Sequence, residues 1–158
     1  MPSVKNRVED LLHDYLLEEG ILKDKIDSTK FDFGFIISFP PGPKSQNLSV
    51  YKPKNRDSIF ITIRFQISQK KAELLKSLKK NKQYQFFNDL RKYFLIREVL
   101  YKINLQNLII EIHEQIFPDK EGYISKNLLF KLIQKVFYCY LSSYLIMDEY
   151  LKGKKKRI

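Results

Sequence analysis

The chain lacks the residues and spacings on which most cofactor-dependent enzymes are built. Only five glycines occur in 158 residues, and neither Gly-x-x-x-x-Gly-Lys-Ser/Thr nor Gly-x-Gly-x-x-Gly is present to bind phosphate or a dinucleotide. Two histidines and one cysteine provide no zinc-site spacing, and there is no Gly-x-Ser-x-Gly elbow for acyl transfer. We therefore predict no catalytic residue, no metal, no cofactor and no small-molecule ligand, and an enzyme is the least favoured class of function.

The sequence also lacks the features of a disulfide framework and of a membrane-spanning segment. The single cysteine, Cys139, has no partner for an internal disulfide. The longest nearly apolar run covers 136–147 and is shorter than the roughly 18 to 20 residues that cross a bilayer. Charged and apolar residues alternate at the start of the chain, where a secretory signal would be continuously apolar. We expect a cytoplasmic protein without membrane insertion.

Positive charge is in excess, with 29 Lys and Arg residues against 18 Asp and Glu residues and a net charge of +11. Six lysines and one glutamate lie in 70–82, and five further cations lie in 152–158. Clustered lysines bind phosphate groups by releasing counterions, and a merely solvated surface is the alternative. The predicted anion-binding or nucleic-acid surface consists of Lys52, Lys54, Arg56, Lys70, Lys71, Lys76, Lys79, Lys80, Lys154, Lys155, Lys156 and Arg157.

Alternating apolar and polar residues predict a sheet with one buried face. Residues 31–39 and 59–67 are apolar at every second position, and a proline-rich turn at 40–43 follows the first of these runs. The apolar set of the first run is Phe31, Phe33, Phe35, Ile37 and Phe39. Across the sheet, we predict burial of Phe33, Phe35, Ile61, Ile63, Ile110 and Ile112 and exposure of Arg64 and Gln66. The opposite, polar sheet face, covered by solvent or by a partner, consists of Tyr51, Arg64, Gln66, Glu111, His113 and Gln115.

Helical spacing predicts the remaining elements. An amphipathic helix covers 3–19, two helices separated near 80–82 follow the strands, and a long final helix runs from Ser125 to about residue 151. The predicted order is α-β-β-β-β-α-α-β-β-α, an α+β fold with an antiparallel sheet of about six strands and helices packed on one face. We expect one domain over 1–151 and a basic C-terminal tail over 152–158.

The final predicted helix has an apolar arc wider than one sheet can cover. Either the other helices enclose this arc, or a second subunit does. Large exposed apolar patches are uncommon on soluble monomers, which favours a homodimer. The candidate dimer contacts are Tyr140, Tyr144, Met147 and Leu151.

Short motifs are spread over nearly all of 4–150. They are Gly20 after the first helix, Asp32 with Phe33 and Phe35, "FPP" at 39–41, Val50 with "KPK" at 52–54, "LKSLK" at 75–79, and "DLR" at 89–91. On these motifs the chain resembles a small family of archaeal proteins of unknown function, and none of the motifs is catalytic. The element order is also similar to the type III secretion chaperone fold, whose members are small dimers that bind extended segments of partner proteins.

Two functions are compatible with these features. The favoured one is a non-enzymatic interaction protein, homodimeric, that docks an acidic or extended segment of a protein partner. The alternative is sequence-independent nucleic-acid binding through the basic surface and the tail, because no groove-reading motif is present. Most aromatic residues are assigned to the core, which argues against base stacking and favours the first function.

Overall fold

The computed structural model of the chain describes the backbone of residues 4–155 and the side chains of residues 7–152. The predicted α+β class, the element order and the six-stranded antiparallel sheet are confirmed. The elements are α1 (Val4–Glu18), β1 (Leu22–Lys25), β2 (Phe31–Phe39), β3 (Gln46–Pro53), β4 (Ile59–Gln66), α2 (Gln69–Lys76), α3 (Lys80–Ile96), β5 (Leu100–Asn104), β6 (Ile109–Ile116) and α4 (Lys126–Lys155). Among the described residues, no helix combines the length and the apolar character that a membrane span requires.

The strands lie in the order β1-β2-β3-β4-β6-β5. Phe35 pairs with Val50, which pairs with Ile61, and all three side chains are fully buried. Because side chains alternate along a strand, the intervening residues point to the other side of the sheet. The predicted burial is confirmed for Phe33, Phe35, Ile61, Ile63, Ile110 and Ile112, and the predicted exposure is confirmed for Arg64 and Gln66.

A bulge at the start of β2 changes the predicted alternation. Phe31 pairs with Pro53 and Phe33 pairs with Lys52, so two steps along β2 match one step along β3. Phe31 therefore lies on the same side as Tyr51, and the two ring centroids are 4.6 Å apart. The prediction that Phe31 shares the buried face with Phe33 is wrong, because the strict period of two fails at the bulge.

The chain divides into two compact units. Unit 1 contains the chain up to Ile63 together with 113–136, and unit 2 contains Arg64–Ile112 together with the chain from Phe137 onward. The single domain expected over 1–151 stays a prediction.

In unit 1, α1 packs against β1 and β2. The apolar stripe of α1 includes Leu12 and Leu16, which have no exposed surface. The phenol of Tyr15 donates a hydrogen bond to the carbonyl of Ile124 at 2.9 Å. The helix is thus held by its apolar side, by this hydrogen bond, and by ion pairs of Glu9 with Lys25 and of Glu18 with Lys126.

In unit 2, aromatic contacts hold α4 against β4. The ring of Phe65 lies 4.9 Å from Tyr140 and 5.5 Å from Tyr144 between centroids. The hydroxyl of Tyr93 on α3 donates a hydrogen bond to the hydroxyl of Ser142 on α4 at 2.9 Å. The helix α4 continues to Lys155 and does not end near residue 151, so the residues predicted to begin the tail have helical backbone.

The lack of a side chain at Gly34 permits close packing on the outer side of β2. A methyl group placed on Gly34 would lie 3.0 Å from Cβ of Ile26 and 3.3 Å from Cβ of Tyr51. Both neighbours are fixed to their own backbone and cannot rotate away. We expect Gly34→Ala to lower the free energy of unfolding by about 1–3 kcal/mol, the range for overpacking. Urea unfolding checks this, with Ser38→Ala on the same strand as a control that adds no volume; an unchanged midpoint for Gly34→Ala would contradict the close packing.

A second prediction concerns Tyr150 of α4, whose hydroxyl donates to the carboxylate of Asp89 on α3 and whose ring lies 5.5 Å from that of Phe86. Burial, followed by the hydrogen bond to Asp89, raises the pKa of Tyr150 from 10.0 to about 12. The unfolded chain therefore loses this proton first, and we expect the free energy of unfolding to fall as the pH rises from 10 towards 12. Urea unfolding over this range should show a shallower decline for Tyr150→Phe. Identical declines in both proteins would contradict the assignment.

Candidate functional site

The basic region of 70–82 folds as two helices joined by a short break. Ser68 caps α2 by accepting a hydrogen bond from the backbone N–H of Lys71. At the other end, the hydroxyl of Ser77 donates to the carbonyl of Leu74 at 2.7 Å, and Lys79 is the N-cap of α3. The break therefore lies at 77–79, slightly before the predicted position, because a serine ends the first helix.

A groove in unit 2 lies between the end of α2, one side of α3 and the turn from β5 to β6. Its volume is about 380 Å³. The lining residues are Leu75, Lys76, Lys80, Gln83, Tyr84, Phe87, Arg91, Leu105 and Leu108. We call this cavity the α2–α3 groove. It contains two members of the predicted basic surface, Lys76 and Lys80.

Helical spacing explains one wall of the groove. Lys80, Tyr84, Phe87 and Arg91 follow one another at intervals of four, three and four residues, which places them on one side of α3. The amide of Gln83 donates to the carbonyls of Lys76, at 3.2 Å, and Leu78, at 2.8 Å. This amide links the first turn of α3 to the end of α2.

The groove has an apolar floor and a cationic rim. Leu75 and Leu108 are buried, whereas Tyr84 is 71% exposed. No carboxylate from residues 7–152 lines the groove. Within the described residues, Lys76, Lys80 and Arg91 form no ion pair, and Arg91 donates only to the side-chain oxygen of Asn88. Three positive charges therefore remain uncompensated around one small cavity.

Two other members of the predicted basic surface, Lys52 and Lys71, form ion pairs with carboxylates. Lys52 pairs with Asp32 at 2.7 Å, and both side chains are about 85% covered. Lys71 pairs with Asp148 at 3.0 Å and lies 4.8 Å above the ring of Tyr144. Neither ammonium group is available as a separate anion contact, because each already has a carboxylate partner.

The remaining predicted cations are placed as follows. Lys54, Arg56, Lys70 and Lys79 are exposed. Lys154 and Lys155 are described only by their helical backbone at the end of α4, and Lys156 and Arg157 lie outside the described residues.

The polar sheet face contains an aromatic row in unit 1, formed by Phe31, Tyr51, Phe60 and His113. Neighbouring centroids are 4.6, 5.8 and 6.2 Å apart, and the rings of Tyr51 and Phe60 are nearly parallel. Thr62 lies among them, with its hydroxyl 3.2 Å from the Tyr51 hydroxyl and 3.5 Å from Nδ1 of His113. Only Tyr51 and Phe60 are stacked: the ring of Phe31 is tilted against that of Tyr51, and the rings of Phe60 and His113 meet edge-on. All four side chains are partly buried.

The other predicted residues of this face are distributed over both units. In unit 1, the amide of Gln115 donates to the hydroxyl of the buried Ser58 at 2.8 Å. In unit 2, Gln66 donates to the carbonyl of Asn107 at 3.2 Å. Arg64 and Glu111 line an open cleft of about 740 Å³ with Lys102, yet neither cation lies within ion-pair distance of Glu111.

The candidate dimer contacts pack partly or fully within one chain, and the dimer itself stays a prediction. Met147 and Leu151 have no exposed surface within one chain, and Tyr140 and Tyr144 pack against Phe65. Met147 and Leu151 are therefore inner residues of α4, whereas Tyr140 and Tyr144 are partly exposed. The exposed apolar residues of α4 in unit 2 are Tyr138, Leu141 and Leu145.

Comparisons with known proteins agree with this fold and assign no activity. The family model described as "Uncharacterized conserved protein (DUF2299)" matches residues 8–147. A crystal structure of an uncharacterized protein from Methanothermobacter thermautotrophicus aligns with a TM-score of 0.81 and 19% identity, covering 90% of this chain and 97% of that chain. At that identity the likeness concerns the fold alone. No curated protein matches the chain.

Proposed function

The chain belongs to the DUF2299 family of uncharacterized conserved proteins, and on that premise we propose that it is a non-enzymatic docking protein whose α2–α3 groove binds an acidic segment of a protein partner. The observation that carries this proposal is a set of three cations around an apolar floor, Lys76, Lys80 and Arg91, which have no carboxylate partner in the part of the chain that the structure describes. The predicted resemblance to a family of uncharacterized archaeal proteins is confirmed.

Charge defines the first property of the partner. Uncompensated cations at a surface raise the local concentration of anionic ligands and select against basic ones. A partner carboxylate would replace the water around these ammonium and guanidinium groups without displacing a carboxylate of the groove itself. The arginine can additionally accept a carboxylate in a bidentate geometry.

The apolar floor of the groove defines the second property of the partner, a large apolar side chain. Leu75, Leu105 and Leu108 form an aliphatic surface, and Phe87 adds one aromatic ring. Grooves of this kind hold the apolar side chains of a peptide, which supply affinity through burial, while charges at the rim set specificity. A segment that combines glutamate or aspartate with one large apolar residue therefore fits both parts of the groove.

Nucleic-acid binding is the second candidate, and one observation favours it. Tyr84 is exposed and lies between Lys80 and Arg91 on α3, an arrangement that allows one base to stack between phosphate contacts. A continuous strand, however, requires successive exposed rings. The aromatic row does not supply them, because its four side chains are only partly exposed and each ring contacts a neighbour in the row.

Titration distinguishes the two candidates. We expect a labelled glutamate-rich peptide that carries one leucine to bind, with an affinity that falls as salt is added. Exchanging the leucine for serine should weaken binding by about tenfold, corresponding to roughly 1.4 kcal/mol of lost burial. A single-stranded oligonucleotide that binds more tightly than the peptide would favour the alternative. Absence of binding by both ligands would exclude the groove as a docking site.

Self-association is part of the same proposal, with a second copy of the chain as the occupant of the outer side of α4. Tyr138, Leu141 and Leu145 are exposed at intervals of three and four residues, and Leu145 is 66% exposed. Between these positions the outward side chains include no charge. A two-fold dimer would cover one such stripe with another.

We expect light scattering to give about twice the chain mass of 19.0 kDa. Leu145→Glu should return the protein to the mass of one chain, because dimerisation would bury each new carboxylate in an apolar contact without a partner. Lys152→Glu, at an exposed position near the end of the same helix, tests whether any added carboxylate has this effect. A mass of 19.0 kDa for the unmodified protein at micromolar concentration would exclude the dimer.

A further inference from the structure

The open edge of the sheet at β5 suggests how the acidic segment is held. We propose that the segment adds as a further strand along β5 and continues from there into the α2–α3 groove; this inference rests on the proposed function. The strand β5 is the last in the sheet, with β6 on one side only. The proposal concerns the backbone of Leu100–Asn104 and one side chain, that of Lys102.

The hydrogen-bonding groups on the outer edge of β5 have no backbone partner in the described part of the chain. No backbone hydrogen bond from 100–104 leads outside the sheet ladder. Leu100 is 50% exposed, and Lys102 and Asn104 are exposed as well. Such an edge is a template for a further strand.

The other edge of the sheet is different. The strand β1 is only four residues long, pairs with β2 in an irregular register, and carries charges at Lys23, Asp24 and Lys25. Short, irregular and charged edges resist the addition of a strand. β5 is longer and carries one charge only.

Continuity connects β5 with the groove. Leu105 follows the last residue of β5 directly and lines the α2–α3 groove together with Leu108. Leu105 is also more than half exposed. An extended segment advances about 3.3 Å per residue, so the residues that follow the paired part reach the groove within a few steps.

The charge of Lys102 favours an acidic peptide over a second copy of the chain as the strand that pairs with β5. Lys102 occupies the middle of β5 and forms no ion pair among the described residues. If two copies of β5 paired in antiparallel fashion about this point, Lys102 of one copy would lie opposite Lys102 of the other. Like charges directly opposite each other are destabilising. A glutamate or aspartate of the acidic segment would instead pair with Lys102.

Hydrogen exchange with a defined probe tests the inference. The probe is a peptide of alternating valine and glutamate, and its control is the same peptide with alternate backbone nitrogens methylated. We expect the first peptide to slow exchange of about half the amides of β5, because alternate N–H groups point outward, and the methylated peptide to leave them unchanged. Slowed exchange with both peptides would overturn strand addition.

Further outcomes separate this inference from the proposed function. If the leucine-containing acidic peptide binds the groove while the exchange of β5 stays unchanged with the alternating peptide, strand addition is wrong and the groove proposal stands. If no peptide binds, both are wrong. Slowed exchange of β5 that depends on protein concentration without any peptide would assign the edge to a second copy.

A charge-reversal variant adds a side-chain readout. We expect Lys102→Glu to lower the affinity for the alternating valine-glutamate peptide by about fivefold to tenfold, the size of one charge-assisted contact. Lys120→Glu makes the same change in net charge at an exposed position of unit 1 and should have little effect. Equal losses in the two variants would remove Lys102 from the contact.

Discussion

Replacing both Lys76 and Lys80 by glutamate is expected to lower the affinity for the leucine-containing acidic peptide by about a hundredfold or more. Each substitution removes a favourable charge and adds a repulsive one at the rim of the same small groove. Charge pairs of this kind contribute about 1.5 kcal/mol or more each in protein interfaces, and 1.4 kcal/mol corresponds to a factor of ten. Fluorescence anisotropy with the labelled peptide measures the change.

The matched control reverses two lysines outside the groove. Lys54 and Lys120 are exposed in unit 1 and form no ion pair among the described residues. Their double replacement by glutamate changes the net charge equally and should reduce affinity only slightly, because neither lysine lines the groove. If both double variants lose affinity equally, the peptide responds to total charge and the groove is not its site.

Phe35→Ala is expected to lower the free energy of unfolding by about 3–5 kcal/mol, the range for removing a large buried aromatic side chain. Phe35 is fully buried on β2, with its ring centroid 5.9 Å from that of Phe33 and 6.0 Å from that of His13. The substitution leaves a cavity that these neighbours cannot fill. Urea unfolding followed by circular dichroism measures the loss.

Phe60→Ala is the control on the other side of the sheet. Phe60 is only partly covered, between Tyr51 and His113 of the aromatic row, so its loss removes less burial. We expect a smaller destabilisation than for Phe35→Ala. The reverse order would contradict the assignment of the two faces of the sheet.

The sheet was predictable because a period of two in the sequence corresponds directly to two faces. Ile61 and Ile63 are buried and Arg64 is exposed, as the alternation requires. Phe31 departs from this rule, since a bulge depends on how β2 pairs with β3 and leaves no mark in the periodicity of β2 itself. The alternation of apolar and polar residues therefore predicts the face on which a strand residue lies. The prediction fails where the pairing of two strands shifts by one residue.

The inner residues of α4 illustrate a second limit. Met147 and Leu151 lie in an apolar arc too wide for a sheet, and the sequence left open whether helices or a second subunit cover it. The folded chain covers both completely. Tertiary packing decides which part of an apolar arc stays exposed, and helical spacing alone does not contain this information.

The groove was predictable only in part. The lysine density of 70–82 indicates a basic surface, and the spacing of Lys80, Tyr84 and Arg91 places them on one side of a helix. The floor could not be inferred, because Leu105 and Leu108 are distant in sequence and reach the groove through the pairing of β5 with β6. Nor does the sequence indicate which lysines are neutralised, since Lys52 and Lys71 meet their carboxylates only in the folded chain.

Chemical-shift mapping with the leucine-containing acidic peptide tests the central claim most directly. In a spectrum of backbone amides, the docking account predicts concentration-dependent shifts centred on Lys76, Lys80, Tyr84 and Arg91, which all line the α2–α3 groove. Shifts centred instead on Tyr51 and Phe60 of the aromatic row, or no shifts at peptide concentrations up to the millimolar range typical of weak complexes, would contradict it.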